Sequence, residues 1–304
     1  MNEFKYKNLV FEGNGAVGIA YVGSVKAMDE YGIYSQIESV CGASSGSLIS
    51  LLVSLNYSPD EIAEVYNDVD MKKILDPGYL GLFRLISNYG FCKGDYLEDF
   101  CRKIIEKKTG NPNTKFRDLQ KNNNFRNLSV ITTNLSLAKS EVFSCESTPD
   151  FDIAKAIRMS FSIPLVFSAK QHNGNFYVDG GVLQSYGIEH FDESSENSDD
   201  KKNKTLGFYL NQRSTYEVSR AKNIFEFIKN LIMVTVIYQQ YDSAFRSKNN
   251  VERTVFIDSL GISPLDFSLD SDQKEKLIDR GYEDTKNYLN EVLEDDDNIN
   301  KKIA

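Results

Sequence analysis

Apolar residues fall in short blocks whose period changes along the chain. Asn8-Leu9-Val10-Phe11-Glu12 contains an apolar block of strand length, followed by Gly13-Asn14-Gly15-Ala16-Val17-Gly18 and a helical pattern over residues 19–31. A second strand is predicted over residues 37–41. It breaks at Gly42-Ala43-Ser44-Ser45-Gly46 and gives way to the apolar helix Leu48-Ile49-Ser50-Leu51-Leu52-Val53-Ser54-Leu55. Two strand-to-helix units in succession predict an α/β fold: a mainly parallel central sheet with helices on both faces, in three layers.

Residues 59–112 read as mostly helical, with a turn at Asp76-Pro77-Gly78 and an amphipathic helix over 96–107. Strands at 128–134 and 141–144 are predicted to form a hairpin. A short helix over 153–160 stops at Ile163-Pro164, because the residue before proline disfavours the helical region. Phe176-Tyr177-Val178 then leads into Asp179-Gly180-Gly181. Residues 193–204 (ESSENSDDKKNK) bury almost nothing and read as a polar loop or insertion. A strand at 205–210, a long helix over 221–247, a strand at 254–257 and a helix over 272–293 follow, and the acidic end, 294–304, reads as a solvated tail. The 304 residues therefore read as one domain: a core over 8–190, the loop 193–204, and a completing region 205–293.

Composition fits a folded chain, with 41% hydrophobic and 26% charged residues. The formal net charge of −9 argues against nucleic-acid binding and against docking on anionic lipid by whole-chain charge. Four cysteines form no CxxC pair, so a reducing compartment is the simpler expectation. The first ten residues lack the apolar stretch of a secretory signal, and no run reaches membrane-spanning length. The expected location is cytoplasmic or peripheral membrane, with delivery outside the Sec route left open.

Three motifs carry candidate chemistry. The first is GxSxG after a strand and before a helix, where Gly42 and Gly46 permit the tight turn that lifts the Ser44 hydroxyl clear of the sheet. The following helix aims free N–H groups at the same point. Read alone, the turn is equally a Gly/Ser loop capping a helix.

The second motif, Gly13 to Gly18, is a GxGxxG loop that suits a dinucleotide pyrophosphate as readily as an oxyanion, and Glu38 lies twenty residues beyond Gly18. Against a dinucleotide, Glu38 falls inside the predicted second strand. The third motif, Asp179-Gly180-Gly181, is on its own a hairpin-turn signal.

A serine nucleophile needs a base, and the chain has only His172 and His190. His172 precedes Asp179, against the Ser, Asp, His order of α/β-hydrolases, while His190 follows it by only eleven residues. An aspartate set directly against the serine serves the same purpose if it stays ionised and within hydrogen-bond reach.

The motifs GxGxxG, GxSxG and DGG, in this order, resemble the patatin-like phospholipase family. So does the segment Ile157-Arg158-Met159-Ser160-Phe161-Ser162-Ile163-Pro164-Leu165-Val166-Phe167 before the DGG. The resemblance covers residues 8–190 as a catalytic core. It implies a serine hydrolase of phospholipase A or lysophospholipase type, with Ser44 as nucleophile, Asp179 as proton acceptor and an acyl-enzyme intermediate. It also implies an oxyanion hole drawn from Gly13, Asn14, Gly15, Ala16 and Ser45, with Gly18, Gly42, Gly46, Gly180 and Gly181 as motif glycines. Asn14 replaces a common glycine and Val17 stands where a cation is frequent; Asn tolerates positive φ, so a backbone donor survives.

No metal and no cofactor are expected, since neither HExxH nor an EF-hand pattern occurs. The implied partner is a phospholipid or other fatty acyl ester. Transient contact with a membrane surface and an activating protein remain open.

The apolar helix over 224–238 reads as core, because Glu226 and Lys229 interrupt it on one side only, with an interfacial face as the other reading. Surface placement is the default for Arg84, Lys93, Phe83 and Phe91. Two competing functions stay in view. One is a catalytically silent lipid- or protein-binding module with the same fold, and the other is a dinucleotide-dependent oxidoreductase.

Overall fold

The computed structural model describes residues 5–69, 71–75, 81–192, 204–211, 221–222, single helical positions between 227 and 238, and 243–303. The predicted turn at 76–78, most of the polar loop 193–204 and most of the helix over 221–247 lie outside the described residues.

The amino-terminal units are as the pattern predicts. β1 (Asn8–Phe11) leads through the glycine loop and a 3-10 turn (Gly15–Ala20) into α1 (Tyr21–Glu30). Then β2 (Ser39–Ala43) leads into α2 (Ser45–Ser54). α3 (Pro59–Asp68) starts at a capping box in which Ser58 and Glu61 satisfy each other's backbone N–H. After α4 (Met71–Ile74) come α5 (Gly81–Ser87), β3 (Gly90–Cys92), α6 (Asp95–Thr109) and α7 (Phe116–Leu119).

β4 (Asn127–Asn134) and β5 (Lys139–Ser144) form the predicted hairpin, closing with Asn134 opposite Lys139. α8 (Ile153–Ser160) is capped by Asp152 and followed by β6 (Leu165–Phe167), β7 (Lys170–His172) and β8 (Asn175–Asp179). β9 (Thr205–Asn211), α9 (Lys248–Glu252), β10 (Thr254–Asp258) and α10 (Ser271–Ile303) complete the chain. α10 continues as helix through residues 294–297, past the predicted end at 293.

The main sheet has the order β10-β9-β1-β2-β4-β8-β7, with β5 on the remaining edge of β4. β10, β9, β1, β2 and β4 are parallel; β5, β8 and β7 are antiparallel to their neighbours. Alternation along the parallel strands builds a core on each face. Leu9, Phe11, Val40 and Val130 point to one face, with residues of α1, α2 and α8. Val10, Cys41, Ala43 and Ile131 point to the other, against Tyr186, Ile188 and Tyr209. The result is the three-layer α/β arrangement.

Two features depart from the expectations. β3 and β6 form a small parallel pair of their own, which the sequence pattern does not signal. At its described positions the helix over 224–238 is not core: Phe227, Leu231, Val234 and Tyr238 are exposed. Their spacing of four, three and four puts them on one outward face.

Candidate active site

Strand register brings the two proposed chemical groups together. β2 pairs with β4 in parallel as far as Ala43 opposite Ile131, and β8 pairs with β4 in antiparallel sense with Asp179 opposite Thr132. β5 occupies the other edge of β4 from Ser129 to Asn134, so β2 and β8 share one edge and meet end to end. Ser44 follows β2 directly and Asp179 ends β8. The two face each other across one step of β4.

Ser44 takes φ 46° and ψ −127°, a conformation rare for a residue with a side chain. Its flanking glycines are required by close approach. A Cβ on Gly42 would lie 2.2 Å from Gly46 O, and one on Gly46 would lie 2.2 Å from Phe11 O. The elbow is held by α8. Ser44 N–H donates to Ser160 Oγ at 2.7 Å, and the Ser160 hydroxyl donates to Ile131 O at 2.7 Å. Two residues on, Ser162 O accepts the Asp179 N–H at 2.9 Å. The end of one helix thus fixes both Ser44 and Asp179.

Asp179 Oδ1 accepts the Gly181 N–H at 2.8 Å, and Gly180 and Gly181 enter a 3-10 turn instead of the hairpin that the Asp-Gly signal alone predicts. Ser44 and Asp179 are each 5% exposed. Burial pushes the Asp179 carboxyl from its ordinary 3.8 up to about 7, with the Ser44 hydroxyl and the Gly181 N–H pulling it partly back. Oδ2 closes no hydrogen bond of its own, although the Ser44 hydroxyl is near enough to act on the carboxyl. Loose contact of this kind is common in a site without its substrate.

The glycine loop packs against this elbow, and most of its donors are committed. Gly13 N–H donates to Ser185 O at 3.0 Å, and the Ser185 hydroxyl donates back to Gly13 O at 2.8 Å. Asn14 N–H donates to Ser45 Oγ at 2.9 Å, and Ala16 N–H to Pro264 O at 2.8 Å. Among the described residues, the N–H groups of Gly15 and Ser45 have no partner. Both residues border the same cavity as Ser44, as does Ala16. Gly15 has φ 51° and leaves no room for a Cβ, which would lie 2.1 Å from Pro264 O. Gly18 is equally crowded, 2.9 Å from Ser45 Oγ by the same measure.

Behind the loop, Glu12 is fully buried. Its Oε2 accepts the Leu210 N–H at 2.7 Å and Asn14 Nδ2 at 3.4 Å, while Oε1 has no partner. Burial raises its pKa well above the ordinary carboxylate value. Ser160, Ser162, Ser185 and Glu12 were not singled out from the sequence for any role. For Glu12 a signal existed: a carboxylate ends an apolar strand and precedes a glycine loop.

The cavity at Ser44 encloses about 40 Å³ and runs between Ile19, Leu48, Val69, Phe161, Phe167 and Leu269. It is a narrow apolar slot with the serine at its polar end. Neither histidine bonds to Ser44 or Asp179. His190 Nε2 pairs with Ser129 Oγ at 3.0 Å, and His172 sits among the rings of Phe143, Phe151 and Tyr177. Glu38 lies just before β2, not inside it. It pairs with Lys7 at the far end of that strand from the glycine loop, which removes the ribose-binding acid of the dinucleotide reading.

A strand-to-helix serine elbow at the end of a mainly parallel α/β sheet, backed by a glycine loop, defines the structural class. The chain belongs to the patatin-like phospholipase family, whose model matches residues 9–192. It is 31% identical over 301 residues to protein R571 of Acanthamoeba polyphaga mimivirus, a match covering 96% of this chain and 97% of the other. It is 27% identical over 236 residues to the probable lipid hydrolase 463L of Invertebrate iridescent virus 6, covering 75% and 78%. In structure it is similar to VipD of Legionella pneumophila, with a TM-score of 0.67 at 17% identity, covering 94% of this chain and 67% of that one. Among the described residues no helix is long and apolar enough to cross a membrane.

Proposed function

We propose that this chain cleaves fatty acyl esters of membrane lipids, phospholipid or lysophospholipid, through a Ser44–Asp179 dyad. The observation that carries the reading is the end-to-end meeting of β2 and β8, which sets a buried carboxyl against a serine elbow at the mouth of an apolar slot. As Ser44 Oγ attacks the ester carbonyl, ionised Asp179 takes its proton. The oxyanion that forms is met by the Gly15 and Ser45 N–H groups and by the amino-terminal end of α2. Collapse passes the proton to the leaving alcohol and leaves the acyl chain on Ser44. Asp179 then deprotonates a water, which attacks the acyl-enzyme; collapse releases the fatty acid as Asp179 returns that proton to the leaving Ser44 Oγ. The apolar slot suits the acyl chain, which makes no directional demand on its walls.

The test uses a fluorophosphonate probe and defined phospholipids. The wild-type protein is expected to be labelled and to release fatty acid, and Ser44→Ala to do neither. Labelling or turnover that survives Ser44→Ala refutes the assignment.

A further inference from the structure

The slot raises a question of access. Ser44 and Asp179 are each 5% exposed and the cavity encloses about 40 Å³, so an acyl chain must enter past its rim and not by diffusion through open water. One neighbouring unit gathers exposed apolar side chains beside the slot. In α5 and β3, Phe83 is 67% exposed, Ile86 76%, Tyr89 54% and Phe91 43%. Phe83 and Ile86 lie three residues apart on one side of α5. These four belong to the eleven large hydrophobics exposed among the described residues, yet they fall within nine positions.

The unit is held as a piece. Arg84 Nη1 donates to Phe91 O at 2.7 Å, tying α5 to β3, and the Tyr89 ring meets Phe176 edge-on at 5.4 Å. Its base is joined to the slot, because β3 pairs with β6 with Cys92 opposite Phe167, and Phe167 lines the cavity. The buried Arg158 guanidinium fastens this junction by donating to Lys93 O and Ser168 O.

Charge separates the unit from the remainder of the chain. α5 and β3 hold Arg84 and no acid, and Lys73 in α4 and Lys93 just after β3 flank them in sequence, within a chain of net charge −9. Exposed aromatic and aliphatic side chains set among cations, beside an apolar slot, match the chemistry of an anionic bilayer surface, which accepts both.

We propose that the α5–β3 unit is the face by which this chain docks on an anionic lipid surface, presenting the slot to the acyl chains; the proposal rests on the acyl-hydrolase reading above. A docking face beside the rim lets a lipid move from bilayer to slot without exposing its chain to water.

The experiment measures co-sedimentation with vesicles of phosphatidylcholine containing about 30 mol% phosphatidylglycerol, using Ser44→Ala chain so that lipid is not consumed. Hydrolysis of a short water-soluble ester by the otherwise wild-type chain is followed in parallel. Phe83→Ser with Ile86→Ser is expected to weaken vesicle binding about tenfold or more, and to leave soluble-ester hydrolysis within about twofold. Lys73→Glu with Lys93→Glu tests the charge independently of the apolar residues. It is expected to abolish binding to these vesicles, and raising salt to about 0.5 M should weaken binding of the parent.

Parent-like binding by both double variants overturns the proposal. So does equal binding of the parent to pure phosphatidylcholine. Vesicle binding that depends on the α5–β3 residues, in a chain that turns over no ester, sustains the docking face and refutes the hydrolase reading. Ester turnover with binding indifferent to these residues does the reverse.

Discussion

Replacing Asp179 with asparagine keeps the shape of the side chain and removes its titration. In the folded chain the carboxyl titrates at about 7, against an ordinary 3.8, chiefly because it is buried. Between these values the folded state holds a proton that the unfolded chain has released. The sign follows from that difference. The raised pKa contributes stability that is fully present below about pH 4 and is lost as pH rises through about 7.

At 1.36 kcal/mol per pKa unit the loss comes to about 4 kcal/mol, at a slope of about 1.4 kcal/mol per pH unit across the window. Asp179→Asn has no such slope. Its Oδ1 keeps the Gly181 N–H bond, and its amide finds an acceptor in the Ser44 hydroxyl. The stability difference between variant and wild type should therefore grow by about 4 kcal/mol from about pH 4 to about pH 8, and then level off.

Urea unfolding of both proteins at several pH values across that range measures it. Turnover supplies the second arm. Wild-type kcat/KM should rise about tenfold per pH unit to a plateau above about 7, and the variant should be inactive. Parallel stability curves for the two proteins would refute the buried-carboxyl argument, and wild-type turnover by Asp179→Asn would refute its role as base.

Two further outcomes follow from the same geometry. Ser160→Ala removes the acceptor of Ser44 N–H and the donor to Ile131 O. It should cost about 1–3 kcal/mol in urea unfolding and lower kcat more than it raises KM, because the elbow loses its tether and not its slot. A change confined to KM contradicts this. Glu12→Gln should unfold within a few degrees of wild type at neutral pH, since burial pushes Glu12 toward its uncharged form and an amide oxygen still accepts from Leu210. Glu12→Ala leaves that N–H without an acceptor, while Asn14 Nδ2 keeps Leu210 O, and should lose about 1–3 kcal/mol; equal losses in the two variants would refute this reading.

What could be read from the residues alone follows how local each feature is. The serine elbow was legible because strand, Gly42, Ser44, Gly46 and helix are consecutive, and the turn needs those residue types whatever surrounds it. The α/β class was legible for the same reason, from two repeats of strand and helix. Asp179 could not be chosen by its neighbours, since Asp-Gly-Gly is locally an ordinary turn. The scarcity of histidine and the family resemblance singled it out, and the reason it stands by Ser44 lies in the register of two strands more than a hundred residues apart in sequence. β3 and β6 were missed because three-residue strands carry no measurable period. At Phe227, Leu231, Val234 and Tyr238 the core reading of the helix over 224–238 fails, because two interrupting charges show which side is polar, but not whether anything covers the apolar residues.

The candidate oxyanion donors mark the limit most sharply. A glycine loop announces that backbone N–H groups are approachable, and nothing in its own residues says which are already taken. Ala16 N–H is taken by Pro264, 248 residues away, and the same carbonyl stands where a Cβ on Gly15 would be. Pro264 therefore occupies one N–H and forces the neighbouring position to be glycine, while Gly15 itself borders Ser44's cavity. The carboxy-terminal segment after β10, which carries no motif, acts on the site through that one carbonyl. It also supplies Phe267 and Leu269 to the slot wall. The region beyond the matched residues 9–192 thus reaches the candidate site at the glycine loop and at the apolar wall, and a chain cut before that segment would keep Ser44 and Asp179 while losing the carbonyl that holds Ala16 N–H and the Phe267 and Leu269 side of the slot.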